Sequence, residues 1–316
     1  MSCDLVGSTN FKQTKPGWQK VFLSFYWEFP QFLAAADRDL TATDGEKTSF
    51  SLWKGVGDEL LFEVDVTTER QISRAVRVWL DAVRRYEDEV LVDYALALKG
   101  GAFIATFPGP DSYSTIPIRP EAEDSDEGVV LLNAQALKGP RKTSSYLYDY
   151  FGPSIDTGFR VIGLAERRYF TLSVEVAWAM ALAAHSAAAE DPSEQTHIVS
   201  DFEYRGSHVL KGVWRAREYP LFAIDRECGD KVNEAVSEMK GDRLKADAII
   251  KVGNACANDD NWPFRLYLPD STHSRFQDKP DDAMGELLRA EATREGAETL
   301  AKDEGGISLN QSPPLG

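Results

Sequence analysis

The most constraining stretch of this 316-residue sequence lies between residues 49 and 86. Two β-prone runs, residues 49–54 and 58–66, are separated only by Gly55-Val56-Gly57. A glycine-bounded linker that short reads as a β-hairpin. Thr68 with Gln71 then forms a capping-box signal. Beyond it Ile72, Ala75, Val76, Trp79, Val83 and Tyr86 recur at helical spacing, which predicts a helix of about five turns.

The rest of the chain is organised around this unit. Residues 1–6 read as the end of a strand and Gly7-Ser8-Thr9-Asn10 as a turn. Residues 18–36 are rich in aromatics and read as helix interrupted by Pro30, and residues 41–47 as a polar turn. Residues 94–107 are strand-like around Lys99-Gly100-Gly101. Residues 108–145 form an inserted arm with the acidic run Glu121-Ala122-Glu123-Asp124-Ser125-Asp126-Glu127, the mark of a solvated loop. Helix and strand resume over 146–225. Residues 226–316 read as a polar helical extension whose last part, 305–316, is expected to be disordered. The expected domains are therefore 1–225, interrupted by the arm, and 226–316.

Charge removes several classes of function. Lys and Arg total 35 against 51 Asp and Glu, a formal charge of -16. Such a surface repels phosphate backbones and anionic lipid, so neither nucleic acid nor a membrane is an expected partner. Cys3, Cys228 and Cys256 form no CxxC pair, and His185, His197, His208 and His273 lack zinc-site spacing. The longest apolar run, near 174–184, carries Glu175 and is too short to span a bilayer. No signal peptide is apparent, and a reducing cytosol is the expected compartment.

Four separated segments carry chemistry together: Asp4-Leu5-Val6-Gly7-Ser8-Thr9, Lys54-Gly55-Val56-Gly57-Asp58-Glu59, the stretch from Asp149 through Gly152 and Asp156 to Arg160, and Leu210-Lys211-Gly212. The first two each set an aspartate at a strand end beside a glycine turn. Two such carboxylates can bridge a pair of divalent cations, since Mg²⁺ and Mn²⁺ take oxygen ligands and keep positions open for substrate phosphates. The glycines let backbone N–H groups approach a triphosphate.

In order and spacing these segments resemble the class III nucleotide cyclases, the adenylate and guanylate cyclase family. Asp4 to Thr9 looks like that family's first metal motif. Lys54 to Asp58 looks like its K-x-x-G-D hairpin, Asp149 to Arg160 like its D-x-x-G-x-x-V-N-x-A-x-R segment, and Leu210-Lys211-Gly212 like its L-K-G strand. The resemblance covers residues 1–225 outside the arm. It implies an α+β fold, a ferredoxin-like domain with helices packed on a mixed or antiparallel sheet. It also implies that Asp4 and Asp58 bind two Mn²⁺ or Mg²⁺ ions and that Lys54 and Asp149 read the base. Arg160 would stabilise charge on the α-phosphate, while Lys211 with Gly7, Ser8 and Thr9 would hold phosphates. A homodimer with composite sites follows from the same resemblance.

The sequence departs from the family in three places. Only Met1-Ser2-Cys3 precede Asp4, so the first strand is unusually short or the start lies upstream. Asp156 replaces an asparagine; as a carboxylate it can accept a bond from a hydroxyl but donate none to a ribose ring oxygen. Gly158 and Phe159 replace small helix formers, and Gly158 should weaken a helix by about 1 kcal/mol relative to Ala.

Lys54 and Asp149 suit adenine, cytosine and uracil alike. On a regular strand over 48–54, Phe50 and Leu52 share a face with Lys54, which makes Phe50 a candidate wall that narrows the base pocket. In layout and in its K-G-V-G-D-E-L-L-F hairpin the chain also looks like the stand-alone pyrimidine cyclases of bacterial Pycsar antiphage systems. That likeness implies cyclic UMP or cyclic CMP as the product, read by a separate effector protein, and UTP is the expected substrate. The alternatives are an adenylate cyclase, a diguanylate cyclase suggested by Val56-Gly57-Asp58-Glu59-Leu60 but opposed by the Asp149–Arg160 and L-K-G segments, and a non-catalytic nucleotide-binding dimer.

Overall fold

The computed structural model describes residues 1–119, 127–138, 145–190, 201–240, 244–282 and 284–294, with the backbone alone for 187–190 and 240. The acidic run up to Asp126 and residues 305–316 lie outside the described residues. The chain opens with β1 (Ser2–Val6), α1 (Ser8–Thr14), α2 (Trp18–Asp44), β2 (Ser51–Val56) and β3 (Glu59–Glu63). It continues with α3 (Glu69–Tyr86), a π turn over Glu87–Leu91, β4 (Ala97–Lys99) and β5 (Gly101–Ala102). Then follow β6 (Ser112–Pro117), α4 (Val129–Leu137), β7 (Tyr146–Phe151), α5 (Pro153–Ile162), β8 (Tyr169–Leu172) and α6 (Val174–Glu190). The last elements are β9 (Phe202–Val209), β10 (Glu218–Asp225), α7 (Lys231–Lys240), α8 (Ala246–Ala257), α9 (Ser274–Gln277) and a helix over 284–294.

β1 to β4 form a sheet in the order β2-β3-β1-β4, every neighbouring pair antiparallel. Each helical crossover, β1 to β2 and β3 to β4, passes over one intervening strand. That is the split β-α-β arrangement of a ferredoxin-like fold. A second sheet, β5-β8-β10-β9, pairs β5 with β8 in parallel and the rest antiparallel. β4 and β5 are one run of chain through Gly100, so a single strand joins both sheets. The crossing is tight: a Cβ on Gly100 would lie 2.0 Å from the Ser2 carbonyl oxygen, so only glycine fits there.

The helix expected after the hairpin is α3. Thr68 caps it, its hydroxyl accepting from the Gln71 N–H at 3.2 Å, and Gln71 Oε1 reaches back to the Thr67 N–H at 2.7 Å. All six expected apolar positions are buried. α2 corrects the sequence reading: it runs unbroken through Pro30 to Asp44, absorbing part of the expected turn. A mid-helix proline costs about 3 kcal/mol. Against it stand four ring contacts to α3, Phe25–Tyr86, Phe29–Trp79, Phe29–Tyr86 and Phe32–Tyr86, with centroids 5.3–6.0 Å apart. At about 0.5–1.5 kcal/mol each beyond their area burial, they offset the proline. The buried Arg74 adds to the α2–α3 contact through Asp37 at 2.5 Å and Asp44 at 2.9 Å.

The contacts divide the chain into two compact units. One is Met1–Thr106 with Pro153–Lys279; the other is Phe107–Gly152 with the described residues from Pro280 onward. This differs from the expected boundary at 225. Ile249, Cys256, Phe264, Leu266, Leu268 and Phe276 share the core of the first unit, so the chain up to Lys279 is no separate extension. α8 lies so close to α6 that Gly253 meets the Trp178 ring, with 2.4 Å from an added Cβ. In the second unit β6 and β7 pair antiparallel, and Asn133 of α4 accepts from the Thr115 N–H at 2.8 Å. Among the described residues no helix is long and apolar enough to cross a membrane.

Candidate active site

Sheet register builds the acidic end of the site. Asp4 in β1 lies opposite Glu59 of β3 on one side and Lys99 of β4 on the other. Opposite residues on adjacent strands bring their side chains together, and Lys99 Nζ stands 3.2 Å from Asp4 Oδ2. Asp58 occupies the β2–β3 turn, its carbonyl 3.4 Å from the Leu5 N–H. From α1, Lys12 Nζ comes within 3.9 Å of Asp58 Oδ1, and from α2 the Tyr26 hydroxyl donates to the Gly57 carbonyl at 2.6 Å. The hairpin turn is thus tied to two helices as well as to β1.

The charges in this corner act on one another. Burial raises the Asp4 pKa; Lys99 opposes that rise and the negative charge of Asp58 adds to it. Glu59 is raised by burial, with the charges of Asp4 and Asp58 adding. Among the described residues no three histidine, cysteine or acidic side chains converge as a metal-ligand group. The candidate donors are two half-buried carboxylates, Asp4 and Asp58, facing Lys99 and Lys12. Such a pair fits Mg²⁺ or Mn²⁺, which take few protein oxygens and complete their shell with water and substrate phosphate.

Gly7 turns the chain after β1 with φ 84°. The expected turn at Ser8, Thr9 and Asn10 is instead the start of α1, where the Phe11 N–H reaches the Gly7 carbonyl at 3.0 Å and Ser8 is buried. Lys54 lies on β2 with its Nζ over the Trp53 ring at 4.2 Å and over the Phe159 ring at 5.3 Å. The alternation expected to place Phe50 beside Lys54 is broken: the β2–β3 register shifts between Leu52 and Lys54, a bulge that re-aims the strand. Phe50 precedes β2 and packs on Trp79, rings 6.1 Å apart. Trp53 and Phe159 are aromatic neighbours of Lys54 that sequence reasoning missed because a bulge has no period.

α5 carries Asp156 and Arg160. Asp156 is exposed, and the Arg160 guanidinium donates to its backbone carbonyl. Gly158 earns its place through packing: a Cβ there would sit 2.2 Å from the Phe103 ring. The Phe103 and Phe159 rings lie 6.1 Å apart, with Trp53 5.7 Å beyond. The two departures at 158 and 159 therefore belong to one aromatic cluster. Asp149 belongs to the second unit, opposite Ser114 on β6, and its Oδ1 accepts from the Tyr150 N–H at 2.8 Å. Lys211 is exposed in the turn between β9 and β10.

No family model matches the sequence, and no curated protein matches it. Among solved structures, the adenylyl cyclase CyaB from P. aeruginosa is similar at 12% identity and TM-score 0.42, over 71% of this chain and 90% of that one. The guanylyl cyclase Cya2 is similar at 13% and 0.38, over 71% and 88%. The guanylate cyclase domain of RhGC from Catenaria anguillulae, in complex with GTP, is similar at 9% and 0.40, over 71% and 94%.

Proposed function

We propose that this chain is a metal-dependent nucleotidyl cyclase. The 3′-hydroxyl oxygen of a ribonucleoside triphosphate bonds to the α-phosphorus, the bond from that phosphorus to the bridging oxygen breaks, and pyrophosphate leaves. The products are the 3′,5′-cyclic monophosphate, pyrophosphate and the hydroxyl proton. The observation that carries this reading is the carboxylate pair, Asp4 and Asp58, set by β1 and by the β2–β3 turn whose Asp58 carbonyl accepts from the Leu5 N–H.

Asp4 and Asp58 would hold divalent cations, which when bound neutralise the triphosphate and ease loss of the hydroxyl proton. Arg160 would meet the charge that grows on the α-phosphate oxygens as the bond shifts. Lys211 would bind the terminal phosphates. Lys54 would donate to the base, with Asp149 accepting as the family resemblance implies. One site would draw on two copies of the chain, as in the family it resembles.

UTP is the proposed substrate. The Trp53 and Phe159 rings crowd the Lys54 ammonium, and a crowded pocket favours the smaller base by exclusion. On the likeness in layout to pyrimidine cyclases of antiphage systems, the proposed role of cyclic UMP is that of a bacterial defence signal. The test is one assay with purified protein, Mn²⁺ and each of the four ribonucleoside triphosphates, with product identified by mass. Cyclic UMP as the main product is expected. Preference for ATP would leave the adenylate cyclase reading, and no cyclic product from any triphosphate would sink the cyclase reading itself.

A further inference from the structure

The turn that carries Lys211 has the most unusual backbone among the described residues. After Gly212, at φ 78°, three consecutive non-glycine residues adopt left-handed conformation: Trp214 at φ 45°, Arg215 at 51° and Ala216 at 62°. In this region the side chain crowds the following carbonyl oxygen, so single residues visit it and runs do not persist unaided. The turn's own hydrogen bonds are few: Val213 N–H to the Leu210 carbonyl at 3.0 Å, Ala216 to Val213 at 2.9 Å and Arg217 to Trp214 at 3.0 Å.

What holds the run comes from the segment just after α8. The Asp259 carboxylate spans it from both ends: Oδ1 accepts from the Trp214 indole N–H at 3.3 Å, and Oδ2 accepts from the Arg217 guanidinium. That guanidinium also lies over the Trp214 ring, 4.1 Å from its centroid. Asp259 is itself fixed, accepting from the Asn261 N–H at 2.9 Å. The Asn261 N–H, then the Trp214 indole and Arg217, hold its carboxyl below the usual carboxylate range. Trp262 presses edge-on against Trp214 at 4.8 Å and stacks on Tyr219 of β10 at 5.6 Å. Its indole donates to Glu175 of α6 at 3.2 Å, which anchors it in the core.

We propose that Asp259 and Trp262 are positioning residues for the Lys211 turn, holding its left-handed run in the shape that presents Lys211 to the terminal phosphates of the substrate. The phosphate half of this statement rests on the cyclase reading; the clamp itself rests on the geometry alone. Residues beyond 225 would then complete the site rather than decorate it.

The test has two arms, on the full chain. The first is limited trypsin digestion mapped by mass. Cleavage follows the population of the opened turn, and Lys211, Arg215 and Arg217 are trypsin sites within it. Asp259→Ala should speed cleavage after Arg215 by about tenfold, with cleavage elsewhere unchanged. Asp259→Asn keeps an acceptor for Trp214 but loses the charge facing Arg217, so it should fall between the two. Unchanged cleavage in both variants overturns the clamp, whatever the enzyme does. The second arm is cyclase kinetics, where Asp259→Ala should raise KM for the triphosphate by about tenfold while kcat falls less. Faster cleavage with KM and kcat unmoved shows a clamped turn that holds no phosphate, and overturns the positioning role while leaving the cyclase reading to its product assay. If the wild type makes no cyclic nucleotide, that reading fails and the trypsin arm alone decides the clamp.

Discussion

At Asp4 the backbone is ordinary strand, and the place of the carboxylate follows from register against Glu59 and Lys99. At Lys211 there is no such frame. The turn departs from both strands of the β9–β10 hairpin, and its shape depends on Asp259 and Trp262, residues far along the chain. The first arrangement uses regular hydrogen bonding that any β-prone sequence supplies, so its side chains carry only the chemistry. The second spends side chains on the backbone itself. If the two are ends of one site, as proposed, damage at one end should differ in effect from damage at the other.

The largest effect should come from the register-held end. Asp58→Ala is expected to lower turnover by about 10³-fold or more, since removing a metal carboxylate costs several kcal/mol of transition-state stabilisation. Circular dichroism and thermal unfolding should barely change, because the β2–β3 turn is held by backbone contacts and by Tyr26. Turnover near the wild-type rate would remove Asp58 from the site.

A mixture of Asp58→Ala and Arg160→Ala protein, each inactive alone, should next regain about a quarter of wild-type activity after subunit exchange, since half the dimers are mixed and each has one intact site. No recovery with exchange demonstrated would place the whole site within one chain.

A smaller effect concerns acidity. Asp4 must be ionised to hold a cation; burial raises its pKa and Lys99 opposes the rise. Lys99→Met removes the opposing charge, so the acid limb of the kcat profile should move to higher pH. A limb that stays in place, or moves lower, would detach Asp4 from catalysis.

The smallest effect is one of sign. Helix propensity alone makes Gly158→Ala stabilising by about 1 kcal/mol, but the Phe103 ring stands where the methyl would go. Overpacking of that kind costs about 1–3 kcal/mol, so urea denaturation should show a less stable protein. A more stable variant would mean that the ring yields freely.

The split between the two regions also governs what was legible in the sequence. α3 was readable because its cap and its apolar period are local. The hairpin was readable because Gly55 and Gly57 bracket it. Lys99 was not, because nothing marks it as the neighbour of Asp4 until the strand order is known. Phe50 was misplaced beside Lys54 because the bulge at Leu52 to Lys54 breaks the alternation that the reading assumed. α2 outran its expected end because ring contacts with α3 outweigh Pro30. Trp262, Phe264 and Phe276 join the core from a mostly irregular stretch whose spacing carries no period. The run at 214–216 was invisible for the same reason: Trp-Arg-Ala has no preference for left-handed backbone, and Asp259 and Trp262 touch it from far along the chain.

The position of those last two residues has a consequence for the timing of synthesis. Asp4, Asp58 and Lys99 have all been added once residue 99 is in place, and the four strands ordered β2-β3-β1-β4 lie within residues 2–99. The β9–β10 turn waits for residue 262. At about 5–20 residues per second, the interval is roughly ten to thirty seconds. During that time a nascent chain has its acidic corner but not the clamped turn proposed to present Lys211 to a triphosphate. On the proposed reading, the chain would thereby stay silent as a cyclase until nearly all of its core has been translated.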